Sequence, residues 1–130
     1  MKFIVRPLRS DELPELYKLI ASLFSSAKID IGESDTVFVA EINGTIVGFA
    51  SFSKKSRGFL LNGLGVKEEF RNQGVGKQLL IKSLGSLPRD VPISLKVQAT
   101  NDPAIALYVK NGFFQKKYGD IFVMVKLPEN

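Results

Sequence analysis

The sequence predicts a mixed α/β domain whose elements run in the order β-α-β-β-β-α-β-α-β-β. Three observations predict it. Short runs alternate apolar and polar residues, as Ile93, Leu95, Val97 and Ala99 do against Ser94, Lys96 and Gln98. Elsewhere apolar residues recur at helical spacing, as Leu13, Leu16, Ile20, Leu23 and Phe24 do, and again Val75, Leu79, Leu80, Leu84 and Leu87. Turn-forming residues, above all Asn43-Gly44, separate these segments.

Taken in order, Phe3-Ile4-Val5 is a short strand ending at Arg6-Pro7. Ser10-Asp11 supplies caps for the first helix. Pro14 fits only in a first turn, which makes Asp11 the expected N-cap. From Ser25 to Asp35 the pattern is lost, and a loop is expected, with or without a helical turn. Thr36 to Ile42 is a strand, Asn43-Gly44 a two-residue hairpin turn, and Thr45 to Ser53 its partner. Lys54-Lys55-Ser56-Arg57 forms a basic hairpin tip before a third strand, Gly58 to Val66. Gly63 and Gly65 weaken that strand and point to a bulge or a close backbone approach. The second helix comes after a glycine turn and ends before Pro88. Asp102-Pro103 reads as N-cap plus first-position proline of a third helix, which Gly112 ends. Phe113 to Lys117 and Ile121 to Lys126 close the chain as a hairpin around Tyr118-Gly119-Asp120.

The chain has 130 residues, enough for one domain with a buried core, and its 45% hydrophobic and 24% charged residues are those of a globular protein. It contains no Cys and no His. Thiolate nucleophiles, disulfides, Cys/His metal sites and a Ser-His-Asp triad are therefore excluded, and no metal is expected. A net charge of +5 either favours an anionic partner or reflects a Lys-rich solvated surface. No basic and aromatic stripe marks a nucleic-acid reader. No stretch reaches the ~18–20 apolar residues of a membrane span, and the first six residues are too short for a signal peptide. A cytoplasmic protein without a membrane partner is expected.

Phe70-Arg71-Asn72-Gln73-Gly74-Val75-Gly76-Lys77 lies between a strand and a helix. A helix start presents unpaired N–H groups and the positive end of its dipole, and glycine lets an anion approach the backbone. The turn is either an anion site or a loop whose glycines are structural. A Walker A loop fails here, because Arg71 stands where its first Gly belongs and Gln78 where Ser or Thr follows the Lys. A dinucleotide fingerprint fails too, since the glycine spacing is wrong and the next strand ends in Gln98-Ala99 rather than an acid.

Arg71-x-x-Gly74-x-Gly76 resembles the Q/R-x-x-G-x-G/A signature of the GCN5-related N-acetyltransferases, the GNAT family. Leu64-Gly65-Val66 resembles the bulged strand that leads into that turn. The segment from Asn101 through Leu107-Tyr108 to Gly112-Phe113 resembles the family's second signature. The resemblance spans essentially the whole chain, and implies a GNAT-type acyltransferase fold with a splayed sheet and one N-acetyltransferase domain over residues 1–130. It also implies an enzyme that passes an acetyl group from acetyl-CoA to an amine acceptor, a small molecule, peptide or protein, in a monomer or homodimer. By the same resemblance, backbone groups of Leu64 and Val66 pair with the pantetheine arm. Amides of Arg71, Asn72, Gln73, Gly74, Val75, Gly76 and Lys77 hold the pyrophosphate, and Asn101 bonds the arm. Tyr108 binds near the sulfur as general acid, and the Val66 N–H is the oxyanion donor.

The chain departs from the family at the base. Many relatives carry a Glu about four residues before the closing Val of the strand; here Asn62 stands in that place and cannot accept a proton. A water relay or a carboxylate from elsewhere must serve, and Glu41 is the first candidate, against its plainer role as a solvated charge. Weak basic catalysis favours a low-pKa amine: an α-amine titrates near ~8, a lysine near ~10.4. The chain therefore mildly favours a peptide or protein N-terminus or another low-pKa amine as acceptor, without naming it. Asp30, Glu33 and Asp35 either attract a cationic substrate or merely solvate their loop. A non-catalytic acyl-CoA-binding domain on the same fold is the alternative.

Overall fold

A computed structural model describes residues 2–24 and 29–129. Seven strands form one mixed sheet in the order β1-β2-β3-β4-β5-β7-β6, numbered along the chain. The first four, β1 (Ile4–Pro7), β2 (Thr36–Ile42), β3 (Thr45–Lys55) and β4 (Gly58–Val66), are antiparallel neighbours. Asn43 and Gly44 turn β2 into β3 with φ of 50° and 82°, the paired positive angles that match strand twist in a two-residue hairpin. The basic tip is shorter than expected. Lys54 and Lys55 belong to β3, with Lys55 opposite Gly58, so that Ser56-Arg57 alone makes the turn.

The first helix, α1 (Leu13–Leu23), starts later than an Asp11 cap would place it. Ser10–Glu12 winds as a 3-10 turn closed by the Glu12 N–H on the Arg9 carbonyl, and the Glu12 carboxylate accepts from the Arg9 N–H at 2.9 Å. Glu12 becomes the N-cap, and Pro14 stays within the first turn. Leu16, Leu19 and Ile20 then pack on Val37, Val39, Ile46 and Phe49. Val47, Ala50 and Phe52 of β3 join a second cluster with Val75, Leu79 and Leu80 of α2 (Val75–Ser86). Val47 shares that face despite its odd spacing because it is the extra residue of a bulge against β2.

The remaining elements are β5 (Ile93–Gln98), α3 (Asp102–Lys110), β6 (Phe113–Lys117) and β7 (Ile121–Lys126). Asn101, not Asp102, caps α3: its Oδ1 accepts from the Ala104 N–H, which moves Pro103 to the second helical position. Gly112, at φ 95°, ends the helix as expected. Between Ile29 and Asp35 no helix or strand forms; residues 25–28 of that loop lie outside the described residues.

Two irregularities interrupt the sheet at β4. Ser51 faces Gly63 while Phe52 faces Leu61, so Asn62 is the extra residue of a bulge in β4. Parallel β4 and β5 pair at Phe59↔Ile93, Leu60↔Ser94 and Leu61↔Leu95 and then part. Beyond the bulge, β4 runs on along β3 with its other edge unpaired.

Candidate active site

The parting of β4 and β5 opens a groove of about 640 Å³. One wall is Leu64-Gly65-Val66. The Lys67 N–H turns inward to the Val47 carbonyl at 2.8 Å, so strand alternation turns the Val66 and Leu64 N–H groups outward to the gap. The Val66 carbonyl accepts from Arg71 Nε at 2.9 Å.

Gly65 is glycine because α1 ends against it. A Cβ there would lie 2.9 Å from Leu23 Cδ1 and 3.0 Å from Phe24 Cε2. Leu23 and Phe24 thereby reach the groove, although their spacing marked them only as apolar helix residues.

At the floor, Gly74 takes φ 84° as the N-cap of α2. The first helical hydrogen bond runs from the Gln78 N–H to the Gly74 carbonyl, which leaves the amides of Val75, Gly76 and Lys77 without a helical acceptor. Nothing approaches the open side of Gly74, and only Val66 Cγ2, at 3.7 Å, comes near that of Gly76. Arg71, Asn72, Gly74, Val75, Gly76 and Lys77 line the groove together. Two expectations shift. The Arg71 N–H is already bonded to the Glu68 carbonyl at 3.2 Å, so that residue offers its guanidinium rather than its amide. Gln73 does not line the groove; its side chain turns back toward the Glu69 carbonyl.

The opposite wall is α3. Asn101 faces the groove at the helix start, its Oδ1 spent on the cap, with Ala104, Leu107 and Tyr108 behind it. Tyr108 is 7% exposed and meets Phe113 edge-on at 5.7 Å. Burial pushes its phenol up to about 12.

On the α1 side of β4 a second cavity of about 490 Å³ shares Phe24, Leu64, Asn101 and Tyr108 with the groove. Asn62, Lys96 and Gln98 supply its other polar groups, and the Asn62 amide donates to Ser53 Oγ. Lys96 and Gln98 were legible only as the solvated half of an alternating strand.

The structure does not bring Glu41 to either cavity. Arg6 holds it through Nη2 at 2.8 Å and Nε at 2.9 Å, and clasps Glu12 at 2.7 Å. The same guanidinium draws the Glu12 carboxyl down to about 2, and its own pKa rises in return. The acidic loop is also elsewhere. Glu33 and Asp35 line a separate cavity beside Leu13, where Asp35 accepts from the Gly32 N–H at 2.8 Å, and Asp30 is exposed outside all three cavities. Among the described residues no group of three or more acidic side chains is placed to hold a metal ion.

The chain is 33% identical over 78 residues to the N-alpha-acetyltransferase RimI of Mycobacterium tuberculosis, a match covering 57% of this chain and 49% of that protein, about half its length. Its fold superposes on the ribosomal-protein-S18-alanine N-acetyltransferase of Escherichia coli with a TM-score of 0.85 at 23% identity, covering 99% and 96% of the two chains. Arabidopsis thaliana Naa50, solved with the bisubstrate analogue CoA-Ac-MVNAL, gives 0.79 at 25% identity over 97% and 99%. The model of the Acetyltransferase (GNAT) family matches residues 5–113, taking in both the glycine turn and the Asn101-to-Phe113 segment, and the chain belongs to that family.

Proposed function

We propose that this chain is an acetyl-CoA-dependent N-acetyltransferase, formed as one domain, whose acceptor is the α-amine of a peptide or protein N-terminus. The observation that carries the proposal is the parting of β4 from β5 above the α2 start, with Tyr108 across the gap. The cosubstrate supplies an activated acetyl thioester and a thiolate that can leave. The groove fits it: an unpaired strand edge for the amide-bearing arm, and open glycines with Arg71 and Lys77 for the pyrophosphate.

Each wall of the groove then has its task. The outward Leu64 and Val66 N–H groups bond the arm as a neighbouring strand would, and the Asn101 side-chain NH₂ adds a contact. Amides of Asn72, Gly74, Val75, Gly76 and Lys77 hold the phosphates, with the Arg71 guanidinium beside them. The Val66 N–H donates to the thioester oxygen as charge builds there during direct attack by the amine. Tyr108 gives its proton to the departing sulfur, and the buried phenol is protonated at neutral pH. No carboxylate lines the groove or its neighbouring cavity among the described residues. The amine must therefore lose its proton to water, which is easier at the ~8 of an α-amine than at the ~10.4 of a lysine. The N-alpha-acetyltransferase among the similar proteins supports the same acceptor class.

The test is thiol release from acetyl-CoA with matched peptides offering a free N-terminus or a lysine alone. Faster turnover of the free N-terminus is expected, and Gly76→Asp should abolish acetyl-CoA binding while the fold persists. Tight binding with no turnover of any amine would instead mark a binding domain.

A further inference from the structure

The cavity on the α1 side of β4 is polar in one sense only. Asn62, Gln98, Asn101 and Tyr108 are neutral, and Lys96 is its single charge among the described residues. Lys96 has no ion pair among those residues and is solvent-exposed. It is nevertheless fixed at its root. It lies mid-strand opposite Val123 of β7, between the buried Leu95 and Val97, one residue past the last β4 pairing. The ammonium therefore projects from rigid backbone beside the bulge at Asn62, in the same cavity as the Tyr108 ring.

Among the described residues no carboxylate lines this cavity and none is ion-paired with Lys96. Glu41 is bound by Arg6, Glu33 and Asp35 border another cavity, and Asp30, Asp102 and Asp120 line neither the groove nor this cavity. A cationic acceptor entering here meets a like charge beside Phe24, Ile29 and Leu64. An acceptor bearing a carboxylate meets its counter-ion.

We propose that Lys96 makes this enzyme selective for amines that carry a carboxylate close to the reacting nitrogen. The inference rests on the acetyl-transfer reading and deepens it. The carboxylate can come from an acidic side chain early in a peptide or from the α-carboxylate of a free amino acid. Both present the same chemistry to Lys96.

The experiment measures kcat/KM for peptides beginning Ala-Asp, Ala-Ser and Ala-Lys, and for free alanine against alaninamide, with wild type, Lys96→Gln and Lys96→Glu. The Ala-Asp peptide should exceed the Ala-Lys peptide by about tenfold in wild type. Lys96→Gln should flatten the order and Lys96→Glu reverse it, with acetyl-CoA affinity and melting temperature unchanged as a check on folding. A Lys96-dependent preference confined to free alanine assigns the carboxylate to an amino acid; one within the peptides assigns it to an N-terminus. An order identical in wild type and Lys96→Gln, or a wild type favouring the Ala-Lys peptide, overturns the proposal. Absence of thiol release with every amine removes acetyl transfer itself, whereas acetylation of α-amines without charge preference removes only the role of Lys96.

Discussion

Tyr108 is where burial and the proposed chemistry meet in one side chain. Desolvation raises the phenol, which keeps it protonated for the proton donation proposed for it. Removing the hydroxyl with Tyr108→Phe should lower kcat about a hundredfold while the acetyl-CoA Kd stays within about twofold, as read by steady-state kinetics and titration calorimetry. The raised pKa also fixes a pH dependence. Because the folded state holds this proton more tightly than the unfolded one, its contribution is complete below about 10 and is lost as pH rises through about 12. Urea unfolding at pH 9 and pH 11 should show wild type losing on the order of 1 kcal/mol more than Tyr108→Phe over that interval. Among single residues, Tyr108 and the open glycines were legible because their motif spacing carries them. Glu41 was misleading. Its partner Arg6 lies 35 residues away, and nothing in local spacing announces a pairing of that kind.

At the level of elements, glycine has opposite meanings in β4 and α2. Gly65→Val would drive a branched side chain into Leu23 and Phe24 and should cost about 1–3 kcal/mol, with weakened acetyl-CoA binding as the end of α1 shifts. Gly85, inside α2, has nothing within 4 Å of its open side, and Gly85→Ala should stabilise by about 0.5–1 kcal/mol. Paired denaturant curves check both signs. Strand and helix identities were legible where turn chemistry punctuates them, as at Asn43-Gly44 and Gly112. The starts of α1 and α3 slipped by one residue each. At α3 side-chain reach decides, Asn101 forward to Ala104, whereas at α1 the 3-10 turn that Glu12 closes back on Arg9 takes up the first residues.

For the whole molecule, the groove lies between two groups of strands, β1 to β4 and β5 to β7, so a ligand bound there should act on global stability. Acetyl-CoA at about a hundredfold over its Kd should add about 2.7 kcal/mol, or about 10 °C in Tm, by differential scanning fluorimetry. Gly76→Asp should abolish that shift. The parting itself was not legible from hydrophobic pattern. Gly63 and Gly65 pointed to a bulge or close approach within Gly58 to Val66, but nothing there or in Ile93 to Gln98 marks where the two strands separate, which is at the Asn62 bulge. It was expected only through resemblance to a family that shares it. Nor does alternation distinguish Lys96 in a cavity from a lysine in open water, because that difference is made by Phe24 and Ile29 arriving from elsewhere in the chain.

The brief pairing of β4 with β5 also has a mechanical side. Direct strand-to-strand contact between the two groups runs through Phe59, Leu60 and Leu61, a seam short enough to act as a pivot. Val66 lies five residues farther along, a lever arm of about 16 Å at the rise of an extended chain. A rotation of about 5° at the seam displaces that end by about 1.4 Å, half the length of a hydrogen bond. Small repacking around Leu61, three residues short of Leu64, is thereby geared up into the fit of the groove.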